Sequence, residues 1–257
     1  MKRPVNISLA GLPGFGFVDA LRRILATEGE STALVEPHIG NLSTAHTQLC
    51  PQNRGILDER MADDIAEAFP MVKCRLHANT RVLNNRYVHD FADFGEAPEY
   101  WRALADRSRR LGAVGYTAHA GKRDRATLQQ TFDNVRRCTD IFGIPVGIEG
   151  HYPTGKNTFL MESWGEYEEM LRAEIPYALD LSHLNIIAVQ TRMRRDDLVR
   201  EMLAHKNCIE IHVSDNDGVR DLHRMLPERK LWWLDLLKFA NPDAIWFSEA
   251  CQRVSRA

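Results

Sequence analysis

The sequence predicts a single-domain (β/α)8 barrel, and three observations predict it. Eight short apolar runs alternate with eight helical patterns at a spacing of roughly thirty residues. No linker or shift of composition divides the 257 residues, and one barrel of that length is ordinary. Polar residues able to do chemistry fall at the C-terminal ends of nearly all the strands, where a barrel places its site. The alternation calls for parallel strands with right-handed crossovers. A doubly wound open sheet would satisfy that as well; the strand-end polar residues favour the barrel.

Val5–Leu12 is the first strand-like run, closed by Pro13-Gly14 and Gly16, and Val18–Leu25 has helical spacing. Gly11-x-x-Gly14-x-Gly16 lacks both the Walker lysine and the dinucleotide spacing, so it reads as a tight turn. Ala33–Ile39 is the second strand and Asp58–Phe69 the second amphipathic helix. Lys73–Asn79 is the third strand, followed by a polar loop over 80–97 and a helix near Pro98–Leu111. Gly115–Gly121 is the fourth, with helix 126–142 behind it. Val146–Gly150 is the fifth; its helix runs from Ser163 to Arg172, Ser163 capping it with Glu166 three residues on. Tyr177–His183 is the sixth, with a helix near Arg195–His205. Ile209–Asp215 is the seventh, with a helix near Leu231–Ala240, and Ile245–Ala250 is the eighth.

Formal charge is −2 with both signs interspersed, which gives no broad polyanion-binding face and makes nucleic acid a poor partner. Five scattered cysteines without a CxxC pair read as small buried hydrophobes in a reducing cytoplasm. Met1-Lys-Arg-Pro leads directly into a strand, and no apolar span suits a signal peptide or membrane helix, so a cytoplasmic protein is expected.

The chemistry is concentrated at the strand ends. Strand 3 brings His77 and Asn79, strand 4 His119, strand 5 Glu149, strand 6 Asp180 and His183, strand 7 His212 and then Asp221 and His223, and strand 8 Glu249. Five histidines and four acids from six consecutive strands are nine candidate metal ligands. One octahedral ion takes about three or four protein ligands, so nine suit two or three ions, with Glu149 as a bridge. A lone histidine such as His77 is more often a hydrogen-bonded core residue. An unpaired carboxylate in an apolar strand, such as Glu149, is costly without a cation, and the joint registration at strand ends decides for metal. His38, His46, His89, His151 and His205 lack that registration and read as surface or substrate-region residues. Arg81 and Lys156 are placed to hold an anionic substrate, with Asn79 beside them, whereas Lys122 to Arg125 and Arg192 to Arg195 read as solvated loops. Trp232-Trp233 reads as core or interface, and exposed tryptophans near the C-terminus would fit a homodimer face. No G-x-S-x-G elbow is present, which argues against an acyl-enzyme hydrolase.

The order His77, His119, Glu149, Asp180-x-x-His183, His212, Asp221-x-His223, Glu249 resembles the xylose isomerase-like barrel superfamily. The resemblance implies divalent metal ions (iron, manganese or zinc) and three activities. The ketose epimerase and sugar-phosphate isomerase branch implies Lewis-acid and proton-transfer chemistry on a small, oxygen-rich anionic substrate. There Glu149 and Glu249 would be the acid/base pair, with His183 on the substrate. The multinuclear iron enzymes of methanobactin-type biosynthesis imply oxidation of a peptide or amino acid, although an Asn usually stands where this chain has His183. Endonuclease IV implies phosphodiester hydrolysis, but its bulky DNA-inserting residues have no counterpart in Ala78-Asn-Thr-Arg-Val. Isomerase-type chemistry at a multinuclear site is the leading expectation.

Overall fold

The computed structural model describes residues 3–27, 34–84 and 88–252, which leaves Ala33 of the expected second strand and residues 85–87 of the expected 80–97 loop outside the described residues. Eight strands form one parallel sheet: β1 (Val5–Ser8), β2 (Ser43–Leu49), β3 (Lys73–Leu76), β4 (Tyr116–His119), β5 (Val146–Glu149), β6 (Tyr177–Asp180), β7 (Cys208–Val213) and β8 (Ile245–Ser248). Their order is β3-β2-β1-β8-β7-β6-β5-β4. A parallel bridge between His77 and Thr117 brings β3 and β4 together at the two ends of that order, so the sheet curls into a barrel. Helices α1 (Phe17–Ala26), α2 (Glu59–Ala68), α3 (Pro98–Arg110), α4 (Leu128–Phe142), α5 (Trp164–Arg172), α6 (Leu181–Thr191) and α7 (Asp196–Ala204) lie between the strands in sequence.

Local chemistry explains the helix boundaries. Asp58 caps α2 by accepting from Met61 N–H at 2.8 Å, and Thr127 with Gln130 forms a reciprocal capping box on α4. Pro98 opens α3, and Gly143 closes α4 in the left-handed conformation. Ser163 caps α5, but the Glu166 carboxylate answers to the Ser163 hydroxyl and the Glu162 N–H rather than to the cap's own N–H.

Several expectations need correction. The second barrel strand is Ser43–Leu49, and Val35–Ile39 belongs to a small hairpin (Val35–Glu36 against Gly40–Asn41). Buried Glu36 anchors this hairpin by accepting from Leu226 N–H, the Ser248 hydroxyl and the Gln252 amide. His46, expected at the surface or in the substrate region, accordingly stands on a barrel strand with its Nδ1 buried and unpartnered. The sixth strand stops at Asp180, and α6 starts at once. The 231–240 segment forms a 3-10 turn over Leu234–Phe239 rather than an α-helix. Within it Trp233 is fully buried, and Trp232 is half-buried with its indole N–H on Asn185, so these residues supply no exposed tryptophan face for a dimer.

Apolar strand faces pack outward: Cys74, Leu76, Ile211 and Val213 join the core shared with the helices. The alternating positions place Arg75, His77, Glu210 and His212 inside the barrel. The barrel lumen is therefore polar beneath the site, where Val, Ile and Leu layers are usual. Four of the five cysteines are buried thiols, as expected, while Cys251 is exposed. The glycine-rich stretch after β1 is a turn: a Cβ at Gly11 would stand 2.3 Å from the Ala250 carbonyl oxygen, so only glycine lets these two chain segments approach. No helix among the described residues is long and apolar enough to cross a membrane.

Candidate metal centre

All nine predicted ligands converge at the C-terminal end of the barrel. His77 Nε2 lies 3.3 Å from Glu149 Oε2 and 3.5 Å from Glu249 Oε1, and His119 Nε2 lies 3.8 Å from Glu149 Oε2. His212 Nδ1 is 3.3 Å from Glu149 Oε1 and 3.8 Å from Glu249 Oε1. His183 Nε2 is 3.5 Å from both Asp180 Oδ2 and Asp221 Oδ2. His223 Nε2 reaches Asp221 Oδ2 at 2.7 Å and Glu249 Oε2 at 3.7 Å. Three overlapping triads, His77–His212–Glu249, His77–His119–Glu149 and Glu149–Asp180–His212, each hold their donor atoms within 4.8 Å of one another.

The β6–α6 junction shows how the sequence builds the site. Asp180 is both the last strand residue and the N-cap of α6: its Oδ1 accepts from the N–H groups of Ser182 (2.6 Å) and His183 (3.1 Å). An extended chain would put residues 180 and 183 on opposite faces; the first helical turn brings them together. Asp180 Oδ2 is left buried without a hydrogen-bond partner, as is Glu149 Oε2. Buried carboxylate oxygens with no donor call for a cation. His183 Nδ1 donates to the Gly150 carbonyl at 2.8 Å, which leaves Nε2 to face the acids. On the far side, His223 sits at φ 44°, a strained left-handed position for a histidine, and this turn presents it to Asp221 and Glu249.

Electrostatics agree with the geometry. Burial opposes the charge on Glu149, but His212, His119 and His77 outweigh it and hold the carboxyl well below the usual range. Burial pushes Glu249 up to about 7 against the pull of His212 and His223. Burial holds His77 neutral, down to about 3, so a lone pair is free for a metal. It works against charge on His183 and His212 too, yet Asp180 and Asp221 around the first, and Glu249 and Glu149 around the second, drive both upward. The carboxylates thus demand positive charge, and a mixed imidazole and carboxylate set suits divalent zinc, manganese or iron. Six of the nine residues are buried, whereas the side chains of His119, Asp221 and His223 keep 26%, 15% and 17% of their exposure and form the open rim.

Beneath the cluster lies a residue that the strand-end pattern did not single out. Glu210 is fully buried, and its Oε1 accepts from the Gln48 amide (2.6 Å), the Thr117 hydroxyl (2.6 Å) and His212 Nε2 (2.8 Å). Its Oε2 accepts from the Arg75 guanidinium at 2.6 Å. Thr117 Oγ is also 2.9 Å from His77 Nδ1. Burial works against the Glu210 charge, but Arg75, His212 and His77 prevail and bring it down to about 2. The available signal was a glutamate two residues before His212 on the same strand face, paired with an arginine at the matching position of β3.

The predicted substrate residues are less gathered. Asn79 is half-buried and donates to Asp90, but Arg81 and Lys156 are exposed and no described contact ties either to the cluster. Asp215 and Asp217, from the same β7 loop, stay out of the cluster, Asp217 capping the turn at Val219 and Arg220. His151 and Tyr152 come nearer: the His151 ring stacks on His119 at 4.7 Å and 18°, and Tyr152 lies 4.9 Å from the His183 ring.

The TIM-barrel fold is shared with several solved structures. The chain superposes on a D-tagatose 3-epimerase-like protein with a TM-score of 0.68 at 15% identity, covering 97% of this chain and 91% of the other. It matches a family 2 AP endonuclease from Brucella melitensis at 0.63 and 14% identity (97% and 93% covered). It matches the IOLI protein with a binding zinc atom at 0.62 and 14% identity (96% and 88% covered). No family model and no curated protein matches the sequence.

Proposed function

We propose that this chain is a multinuclear metal-dependent enzyme of isomerase or epimerase type, acting on a small, oxygen-rich anionic substrate. The observation that carries the reading is one cluster of nine donor residues in which two buried carboxylate oxygens, Glu149 Oε2 beside His77 and His119 and Asp180 Oδ2 beside His183, have no hydrogen-bond partner. Charge counting supports two ions. With neutral imidazoles, Glu149, Asp180, Asp221 and Glu249 carry four negative charges, since Glu210 is balanced by Arg75. Two divalent ions neutralise four charges and one leaves half uncompensated, which is expensive at this depth. The triads His77–His119–Glu149 and Glu149–Asp180–His212 share Glu149, so two ions held there would both draw on that carboxylate.

When bound, such ions polarise a substrate oxygen and lower the pKa of a bound hydroxyl or water. Substrate meets the rim of His119, Asp221 and His223 first. Glu249 carries a proton to or from the substrate carbon, and Glu149 faces it across His77 and His212. His183, fixed by the Gly150 carbonyl, orients the reacting oxygen. Arg81 and Lys156, on the loops after β3 and β5, take the anionic end.

The test is metal content of protein purified without chelators, its absorption spectrum, and deuterium uptake from D2O at carbons next to the carbonyl in a panel of small ketoses and their phosphates. Two or more colourless divalent ions with deuterium uptake support the proposal. Iron with visible absorption and no exchange replaces it with oxidative chemistry, and a single ion per chain defeats the multinuclear reading.

A further inference from the structure

We infer that Glu210 is a positioning residue that sets which nitrogen each of two histidines offers: Nδ1 from His212 and Nε2 from His77. The inference rests on the proposed metal centre and adds a mechanism for its assembly. Glu210 is an anion inside the barrel, paired at 2.6 Å with an Arg75 side chain that is 3% exposed. An ionised carboxylate only accepts, so each group that meets Oε1 must donate to it. His212 therefore keeps a proton on Nε2, 2.8 Å away, and Nδ1, the atom that faces Glu149 and Glu249, is the nitrogen that can give up its own proton and offer a lone pair to a metal. The Thr117 hydroxyl gives its single hydrogen to Glu210, so its oxygen must accept from His77 Nδ1 at 2.9 Å. That leaves the His77 lone pair on Nε2, the atom that faces Glu149 and Glu249 from the other side.

One carboxylate thus sets two opposite tautomers, one directly and one through a hydroxyl. Gln48 takes part in the same way. Its amide nitrogen lies 2.6 Å from Glu210 Oε1 and 3.0 Å from His212 Nε2, so the two nitrogens stand side by side as donors to one oxygen; a flipped amide would accept from His212 but set its oxygen against the carboxylate, which leaves the buried Oε1 without a partner. Arg75 has no direct contact with the ligands; it keeps Glu210 ionised and therefore an acceptor.

The test compares Thr117→Val, which is isosteric but offers His77 no acceptor, with Thr117→Ser, which restores the hydroxyl, and with Glu210→Gln. Zinc affinity is measured by competition with a chromophoric chelator, and the protonated nitrogen of each histidine by long-range ¹H–¹⁵N correlation spectra of the zinc-loaded protein. Melting curves report whether each variant is folded. We expect Nε2–H on His212 and Nδ1–H on His77 in the native protein. Thr117→Val should lose about 10–100-fold in zinc affinity and the defined His77 signal, with Thr117→Ser close to native. Native affinity and an unchanged His77 pattern in Thr117→Val, or a His212 bearing Nδ1–H, overturns the inference while leaving the metal centre intact. Absence of zinc binding by the native protein defeats the metal centre itself, and the inference with it.

Discussion

Replacing Arg75 by methionine tests the polar lumen most directly. The guanidinium and Glu210 are 2.6 Å apart, with side chains 3% and 0% exposed. At an effective dielectric of about 20, that separation corresponds to a gross attraction of about 6 kcal/mol. Glu210 keeps the Gln48, Thr117 and His212 donors, so the net loss falls to about 3–5 kcal/mol, the range for removing one partner of a buried pair. For a chain of this size each kcal/mol moves the melting temperature by about 2–4 °C, so Arg75→Met is expected to melt about 6–20 °C lower. The assay is thermal unfolding followed by circular dichroism with metal removed, which separates lumen electrostatics from ligand-linked stabilisation. Adding Glu210→Gln removes the stranded charge, and the double variant should recover at least half of the loss. An Arg75→Met protein within about 2 °C of native, or a double variant no better than the single, would refute the reasoning.

Three further outcomes follow from other parts of the structure. A Cβ at Gly150 would stand 2.2 Å from the buried Tyr167 hydroxyl, so Gly150→Ala must displace that ring and the carbonyl that holds His183; we expect about 3 kcal/mol of destabilisation and weaker zinc binding, both absent if the loop simply yields. Glu149→Gln removes the acid shared by two of the three triads, and elemental analysis should find about one metal ion per chain fewer; unchanged stoichiometry would deny its bridging role. Burial, with Arg75 and Lys73 nearby, lowers His46 from 6.5 to about 4. The unfolded chain therefore binds its proton first, so this contribution is complete above pH 6.5 and lost as pH falls through 4. His46→Gln should show a flatter fall in melting temperature over that interval, and an unchanged profile would sink the assignment.

Much of the fold and of the site could be read from the sequence, because both follow strong periodicities. Seven of the eight barrel strands coincide with apolar runs, and the ligands stand where those runs stop. The second strand, Ser43-Thr-Ala-His-Thr-Gln-Leu49, escaped because it is polar. Gln48 faces Glu210 inside the lumen, so hydrophobic patterning had nothing to register, and the more apolar Val35–Ile39 competed successfully. Asp180-x-x-His183 was assigned to one strand although that spacing belongs to a cap and first helical turn. Both residues still reached the site, since the cap faces the barrel mouth. Arg81 and Lys156 show the opposite limit, since loop side chains carry no periodicity that fixes their direction.

The polar lumen makes sense only together with the metal centre above it. A buried ion pair is often no better for stability than apolar residues of similar volume, and barrels usually fill this layer with Val, Ile and Leu. Arg75 and Glu210 therefore need a reason other than the free energy of folding. Apolar packing could not provide one, because an aliphatic side chain leaves an imidazole free to protonate either nitrogen and to turn. A carboxylate held ionised by its own guanidinium cannot donate, and so fixes the proton of His212 directly and that of His77 through Thr117. Orientation of the ligands, more than stabilisation of the barrel, is what this interior charge pair contributes.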